Sequence, residues 1–480
     1  MDLWTVDIRR FSSQVHNNSM FLSSRVAETL GLHYQITWPK RELMTGRGLR
    51  RSPLYDHYRR AGACFGSKFG WERVNFFSSE TATYATMGVG SVNEGDKGGA
   101  VTMEPYSYGR QWWFDTVGRE HLACREGVAL FDITSFSKIL IQGSGAVELL
   151  QELCVNNVDV SVGRLVYTTM CNERGGIETD LTLCRLAPDK YLAVTATSQT
   201  TRDISWIQSY INKTSSTIRF VTLTDVTSSE AVFSLMGPSA RRLLATLTTA
   251  DLSDDAIPFG SSATIDVGYV NVRAHRISYV GEQGYELYVP TESATLLYES
   301  LHEAARLAQI PLTNAGYFAI DSCRLEKGYR AWGHDITPND TPLEAGLGFA
   351  IDWSKSIEFV GKAALLKQKT EGLRRRLVCV KFESEEVGDC HPYPYGGEPL
   401  LRNGQLVGYL TSAGYGYSLG KAVGLAYVKG APSEGSTKAA IVDANYIKEG
   451  AYEVQIADRL HKVSVSLRPF FDPKGTKLSG

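Results

Sequence analysis

Long apolar runs are missing from this chain. No stretch approaches the ~20 residues that a membrane-crossing helix needs, although 43% of the 480 residues are hydrophobic. An excess of one charge is missing too: 50 basic against 52 acidic residues leave a formal charge of −2. Nothing global therefore favours nucleic acid or an anionic membrane as a partner. The eight cysteines (Cys64, Cys124, Cys154, Cys171, Cys184, Cys323, Cys379 and Cys390) form no CxxC pair. They read as free thiols in a reducing compartment. The nine histidines show no metal-ligand spacing, so no metal site is expected. Walker and HExxH motifs are absent. The opening MDLWTVDIRRF lacks the charged-then-apolar pattern of a signal peptide and the acid-poor look of a transit peptide. The expectation is a protein made without an address, or a chain that begins inside a longer one. The sequons at Asn17 and Asn212 read as chance matches.

What is present suits two to four domains, at roughly 100–200 residues each. Residues 1–83 open with a strand-like Leu3–Ile8 and a polar segment around Arg9–Arg25, then become rich in aromatics and arginines. Residues 84–106 are Gly-rich with few large apolar side chains and read as a flexible linker. From 107 to 370 strands and helices are mixed. KILIQGSG is a strand running into a turn before the helical AVELLQELC, and AVFSLMGPSARRLLATL repeats that pattern. GSGAVE at Gly143 is only half of GxGxxG, and it reads as a strand-to-helix turn rather than a dinucleotide site. From 371 to 480 short strands dominate. Asn403-Gly404 marks a hairpin, and AVGLAYV, AAIVDANYI and HKVSVSLRPF continue at strand length, as in a small antiparallel barrel.

Three stretches carry candidate chemistry. In VYTTMCNERGGIETDLTLCRL, Asp180 lies inside an apolar, alternating strand, where a carboxylate is costly without a partner or a cleft. It is either an edge aspartate or an acid whose raised pKa lets it exchange a proton with an amine. In RISYVGEQGYELYVP, Glu286 alternates with Tyr285, Leu287 and Tyr288. It is either a solvent-facing strand glutamate or a carboxylate accepting two parallel N–H bonds from a planar amino-pyrimidinone, with Tyr279 and Tyr288 packed beside the ring. In NAGYFAIDSCRLEKGYRAWGHDITPNDTPLEAGLGF, Arg324 lies in a helix. It forms a structural salt bridge, anchors an anionic tail, or orients Glu286.

NERGGIETDLTL, GEQGYELYVP and RLEKGYRAWGHDITPNDTPLEAGL, in this order, resemble the aminomethyltransferase (glycine-cleavage T-protein) family. DIRRF, LRRSPLYDHY, FGWERVNFF, EKGYRAW, TPLEAGLGF, LRRRLVCV and PFFDP resemble the carboxyl-terminal part of sarcosine and dimethylglycine dehydrogenases. The resemblance implies an α+β fold. A remnant of a flavin-oxidoreductase domain would come first, then a T-protein-like folate-binding domain, then a small antiparallel β-barrel.

It also implies a function: capture of the one-carbon unit of an iminium on tetrahydrofolate as methylene-tetrahydrofolate, downstream of amine oxidation on FAD. The FAD would belong to a missing or separate domain or subunit, so this chain alone is not expected to be an oxidase. By the same resemblance Asp180 is catalytic. Thr182, Tyr279, Glu286, Tyr288 and Arg324 lie at the folate, and the location is the mitochondrial matrix. Two rivals share the family: a regulatory subunit like that of pyruvate dehydrogenase phosphatase, and the aminomethyltransferase of glycine cleavage. Retention of both Asp180 and Glu286 argues against the first, and the opening 80 residues against the second.

Overall fold

Alternation of apolar and polar residues sets the architecture. In the computed structural model of the chain, residues 6–8, 18–78, 106–214, 220–384, 393–431 and 439–479 are described. Helices α1 (Ser19–Leu32) and α2 (Tyr55–Arg60) precede a hairpin of β1 (Ala63–Lys68) and β2 (Trp71–Phe77). The central region continues through α3 (Phe114–Glu126), β3 (Val128–Asp132), β4 (Ser137–Gln142), α4 (Ala146–Leu153), β5 (Leu165–Cys171), β6 (Ile177–Ala187) and β7 (Lys190–Thr195). Then come α5 (Thr200–Lys213), β8 (Thr222–Asp225), β9 (Glu230–Met236), α6 (Ala240–Leu244), β10 (Ser261–Val267), β11 (Val270–Arg276) and β12 (Gly284–Pro290). It closes with α7 (Ala294–Leu307), β13 (Leu312–Ala315), α8 (Tyr317–Glu326) and α9 (Lys362–Glu371).

Two sheets face each other. One has the order β10-β11-β12-β9-β3-β13 and the other β5-β6-β7-β4-β8. Because strand residues point alternately to opposite faces, each sheet feeds two cores. Leu235, Leu287 and Val289 pack outward against α7 and the β1–β2 hairpin. Leu181, Leu183 and Ala193 pack outward under α4 and α5. The remaining faces meet in a third core that joins Phe131, Val232 and Tyr288 of one sheet to Leu165, Cys184 and Leu192 of the other. Leu54, Tyr58 and Val74 belong to the first core, so α2 and the first hairpin pack as part of this region. The Gly143 turn is filled by the chain itself, since a Cβ there would lie 1.8 Å from the Phe220 carbonyl oxygen. The Phe220 backbone packs directly on the turn there.

Strands β14 (Arg375–Phe382), β15 (Pro399–Arg402), β16 (Gln405–Gly416), β17 (Lys421–Lys429), β18 (Tyr452–Ile456) and β19 (Arg459–Ser466) form a closed barrel, all pairs antiparallel. Asn403 and Gly404, at φ +51° and +76°, make the two-residue turn between β15 and β16. Two expectations fail in detail. AAIVDANYI contains a short helix, α10 (Ala444–Lys448), because the Asp443 side chain accepts the Tyr446 N–H and caps it. Part of the polar segment around Arg9–Arg25 lies in α1, capped by the Asn18 side chain on Phe21 N–H at 2.9 Å. The strand-like start at Leu3–Ile8 and the Gly-rich linker fall largely outside the described residues. The seven described cysteines are free thiols. Among the described residues no helix is long and apolar enough to cross a membrane, and no cluster could hold a metal ion.

Candidate functional site

The site is built from the two faces that meet. On β6, Asp180, Thr182 and Cys184 share a face, and Cys184 belongs to the inter-sheet core. On β12, Glu286 and Tyr288 share a face, and Tyr288 belongs to the same core. Alternation therefore turns both candidate carboxylates into the space between the sheets. Each is half-buried.

Each carboxylate is held by one tyrosine. Tyr167 on β5 donates its hydroxyl to Asp180 Oδ2 at 3.0 Å. Tyr288 donates to Glu286 Oε2 at 3.0 Å. Burial pushes the Asp180 carboxyl up to about 6, against the stabilising bond from Tyr167. Burial likewise pushes Glu286 up to about 7, with Tyr288 and then the Lys138 charge opposing it. Both groups thus titrate close to neutrality, where a carboxylate can accept and return a proton.

The surroundings are aromatic. The Tyr279 ring stacks on Tyr329 at 5.9 Å, and its hydroxyl donates to the Arg330 carbonyl at 2.7 Å. Tyr167 stacks on Phe349, which is 76% exposed and so stands at the solvent edge of the Asp180 side. Thr182 pairs across the ladder with Tyr167. Tyr288 is buried against the His275 ring at 4.2 Å, so its ring is committed to packing and its hydroxyl to Glu286.

Arg324 is placed differently from one of its expected roles. Its Nε donates to Asp321 at 2.8 Å, Nη1 to Asp335 at 2.7 Å and to the Tyr329 carbonyl at 3.2 Å, and Nη2 to Ser412 at 2.9 Å. All three nitrogens are engaged and none reaches Glu286; Tyr288 orients that carboxylate instead. Arg324 ties α8 to the barrel and stands beside Tyr279.

Sequence reasoning passed over three residues. Tyr167 is visible only through the register that sets β5 against β6. Lys138 is fully buried, and its ammonium donates to the Thr134 and Phe136 carbonyls at 2.9 and 3.0 Å. Burial pushes it down to about 8, and its charge reaches Glu286. Asp203 on α5 accepts from Thr179 and Thr195 at 3.0 and 2.7 Å and is pushed by burial to about 7.

A reduced pterin offers ring N–H and amino donors along one edge. Two half-buried acceptor carboxylates with tyrosine rings nearby form a donor-accepting, flat-walled set that fits it.

The fold is that of an aminomethyltransferase-type module. Residues 54–355 match the GCVT N-terminal domain and residues 375–472 the glycine cleavage T-protein C-terminal barrel domain. Residues 1–52 match the FAD dependent oxidoreductase central domain. The chain belongs to the glycine cleavage T-protein family. It is 37% identical, over 100% of its length and 53% of the relative's, to 4-methylaminobutanoate oxidase (formaldehyde-forming) of Paenarthrobacter nicotinovorans. It is 34% identical to mitochondrial sarcosine dehydrogenase of Mus musculus, over 100% of this chain and 52% of that one. It is 33% identical to the mitochondrial pyruvate dehydrogenase phosphatase regulatory subunit of Mus musculus, over 99% and 52%. The chain spans about half the length of these curated relatives. The crystal structure of the glycine cleavage system aminomethyltransferase T from Bartonella henselae shares the fold, with a TM-score of 0.68 at 24% identity, over 89% of this chain and 99% of that one.

Proposed function

We propose that this chain is the folate-dependent one-carbon-transfer half of a sarcosine/dimethylglycine-dehydrogenase-like enzyme. The observation that carries the reading is the pair of half-buried carboxylates, Asp180 and Glu286, facing one inter-sheet space with pKa values raised to about 6 and about 7. Glu286 accepts paired N–H bonds from the pterin edge, and Tyr288 fixes its angle. Tyr279 and Thr182 flank the ring, and Arg324 holds the wall behind Tyr279. Tetrahydrofolate, when bound, supplies the amine nitrogen that takes the one-carbon unit from an iminium. Two carbon–nitrogen bonds form to folate and each nitrogen sheds a proton; Asp180 would take these protons in turn and pass them to the departing amine, which leaves as its ammonium form, so no proton is gained or lost overall. Bound folate packed among these rings would keep out water that hydrolyses the iminium.

Amine oxidation belongs, in this reading, to an FAD domain or partner flavoprotein, in keeping with the match of residues 1–52. The mitochondrial names of two relatives support a matrix location. The test is calorimetric titration of the chain with tetrahydrofolate, followed by methylene transfer from an N-methyl iminium. Micromolar binding with transfer supports the reading. An absence of binding overturns it and favours a non-catalytic regulatory role, for which the 33% identity to the phosphatase regulatory subunit is the motive.

A further inference from the structure

A second recess lies away from the two carboxylates, where α3, α8 and barrel strand β16 converge. Its cavity volume is about 70 Å³. None of Asp180, Thr182 and Glu286 lines it. Its wall is aromatic: Trp113, Phe114, Phe318, Tyr393, Tyr415 and Tyr417 all line it, and each ring is partly exposed. The rings meet at 4.9 Å between Phe114 and Tyr415, 4.9 Å between Phe114 and Tyr417, and 5.5 Å between Trp113 and Phe318.

Two of its polar groups offer acceptors. Asp321 stands on the lining, and the nearby Arg324 and Lys40 charges hold its carboxyl below the usual range despite burial. Gln111 is 8% exposed. Its amide nitrogen donates to the Ser107 carbonyl and the Tyr395 hydroxyl, while its buried Oε1 has no hydrogen-bond partner. An orphaned buried acceptor in a recess calls for a donor or a polarised C–H.

The recess already holds one ammonium. Lys40 Nζ lies 5.4 Å from the Phe318 ring centroid and 3.8 Å from Asp321 Oδ2, on a side chain that is 44% exposed. Of the other nearby cations, Arg324 donates to Asp321 Oδ1 at 2.8 Å, leaving Oδ2 to the recess, and Arg110 is spent on the Phe114 ring and on Asp115 at 3.0 Å. Rings plus a carboxylate around a cation are the chemistry that recognises alkylated ammonium groups, because methyl-bearing cations lose little hydration on entering an aromatic cage.

We propose that this recess is a binding site for a methylated ammonium ion, with Asp321 as counter-ion, the six rings as wall, and Lys40 as a resident ammonium that the ligand displaces. It lies at the junction of the central region and the barrel, a common place for ligand sites. The proposal stands apart from the folate reading, since neither its residues nor its test involves folate.

The test titrates the intact chain with tetramethylammonium chloride at constant ionic strength, with sodium chloride as reference, following tryptophan fluorescence and heat. Saturable binding is expected for tetramethylammonium and not for sodium. Lys40→Met is expected to tighten it several-fold by removing the competitor. Phe318→Leu is expected to weaken it several-fold, with unfolding curves checking that both variants fold. The absence of saturable binding in both wild type and Lys40→Met overturns the proposal. So does an equal response to sodium, or an affinity that Lys40→Met leaves unchanged.

Discussion

The Tyr288 hydroxyl donates to Glu286, two residues earlier on the same strand, at 3.0 Å. Residues i and i+2 point to one face, so β12 carries both the carboxylate and the group that aims it. The bond occupies Oε2 and stabilises the charged form. For Glu286→Gln we expect tetrahydrofolate binding weaker by about 1.5–3 kcal/mol, the range for a hydrogen bond to a charged group. Tyr288→Phe keeps the carboxylate and loses its aim, so a smaller loss of about 0.5–1.5 kcal/mol is expected. Calorimetry reads both, and equal affinities in all three proteins would remove Glu286 from the pocket.

The sign of Glu286's titration gives a stability prediction. Its pKa lies near 7 in the folded protein against an ordinary 4.5. The folded state therefore binds more protons than the unfolded state between those values, and its stability falls as pH rises through that window. Glu286→Gln removes this slope. Relative to wild type, the variant should melt higher at pH 8 than it does at pH 5. A melting-temperature difference that is constant with pH would contradict the raised pKa.

Asp180 acts in its ionised form if it takes a proton. The pH profile of kcat/KM for one-carbon transfer should then rise with a midpoint near 6, the value to which burial pushes the carboxyl. Tyr167→Phe deletes a donor that favours the charged form, so the midpoint should move upward. Asp180→Asn keeps shape and loses basicity. Folate affinity within a few-fold of wild type and loss of transfer are expected. Transfer at the wild-type rate by Asp180→Asn would refute the assigned role.

Asp335 is fully buried and accepts from Arg324, Thr411 and Ser412 as well as from the Ala331 N–H. Asp335→Asn breaks the charge pair and leaves the Arg324 guanidinium buried without that partner. A loss of about 3–5 kcal/mol is expected, as for other buried pairs deprived of one member. Denaturant unfolding measures it. A loss below about 1 kcal/mol would mean that water reaches the guanidinium.

Much of this was legible in the chain. The pattern alone left Asp180 and Glu286 open to plain strand readings; it was the resemblance of their motifs to the aminomethyltransferase family that singled them out, and both lie in strands whose faces share one core. Asn403-Gly404 announced its hairpin by its need for positive φ. Tyr167 stayed hidden because its role depends on the register of β5 against β6, which no local pattern encodes. Lys138 stayed hidden for the same kind of reason: burial of a lysine is a property of the assembled layers. AAIVDANYI misled because its apolar content suits a strand, whereas the Asp443 cap turns its second half into helix. Arg324 was readable as a helix residue, but its partners Asp335 and Ser412 come from a loop and from the barrel.

The link from Arg324 through Asp335 to Ser412 crosses from the central region into the barrel. Lys327 makes a second crossing to Asp472 at 3.0 Å. A gene cut between the two parts would keep the Arg324–Asp335 pair together but strip it of Thr411 and Ser412, and would leave Lys327 without Asp472. Central region and barrel therefore complete each other's buried polar groups, which separation would leave unsatisfied.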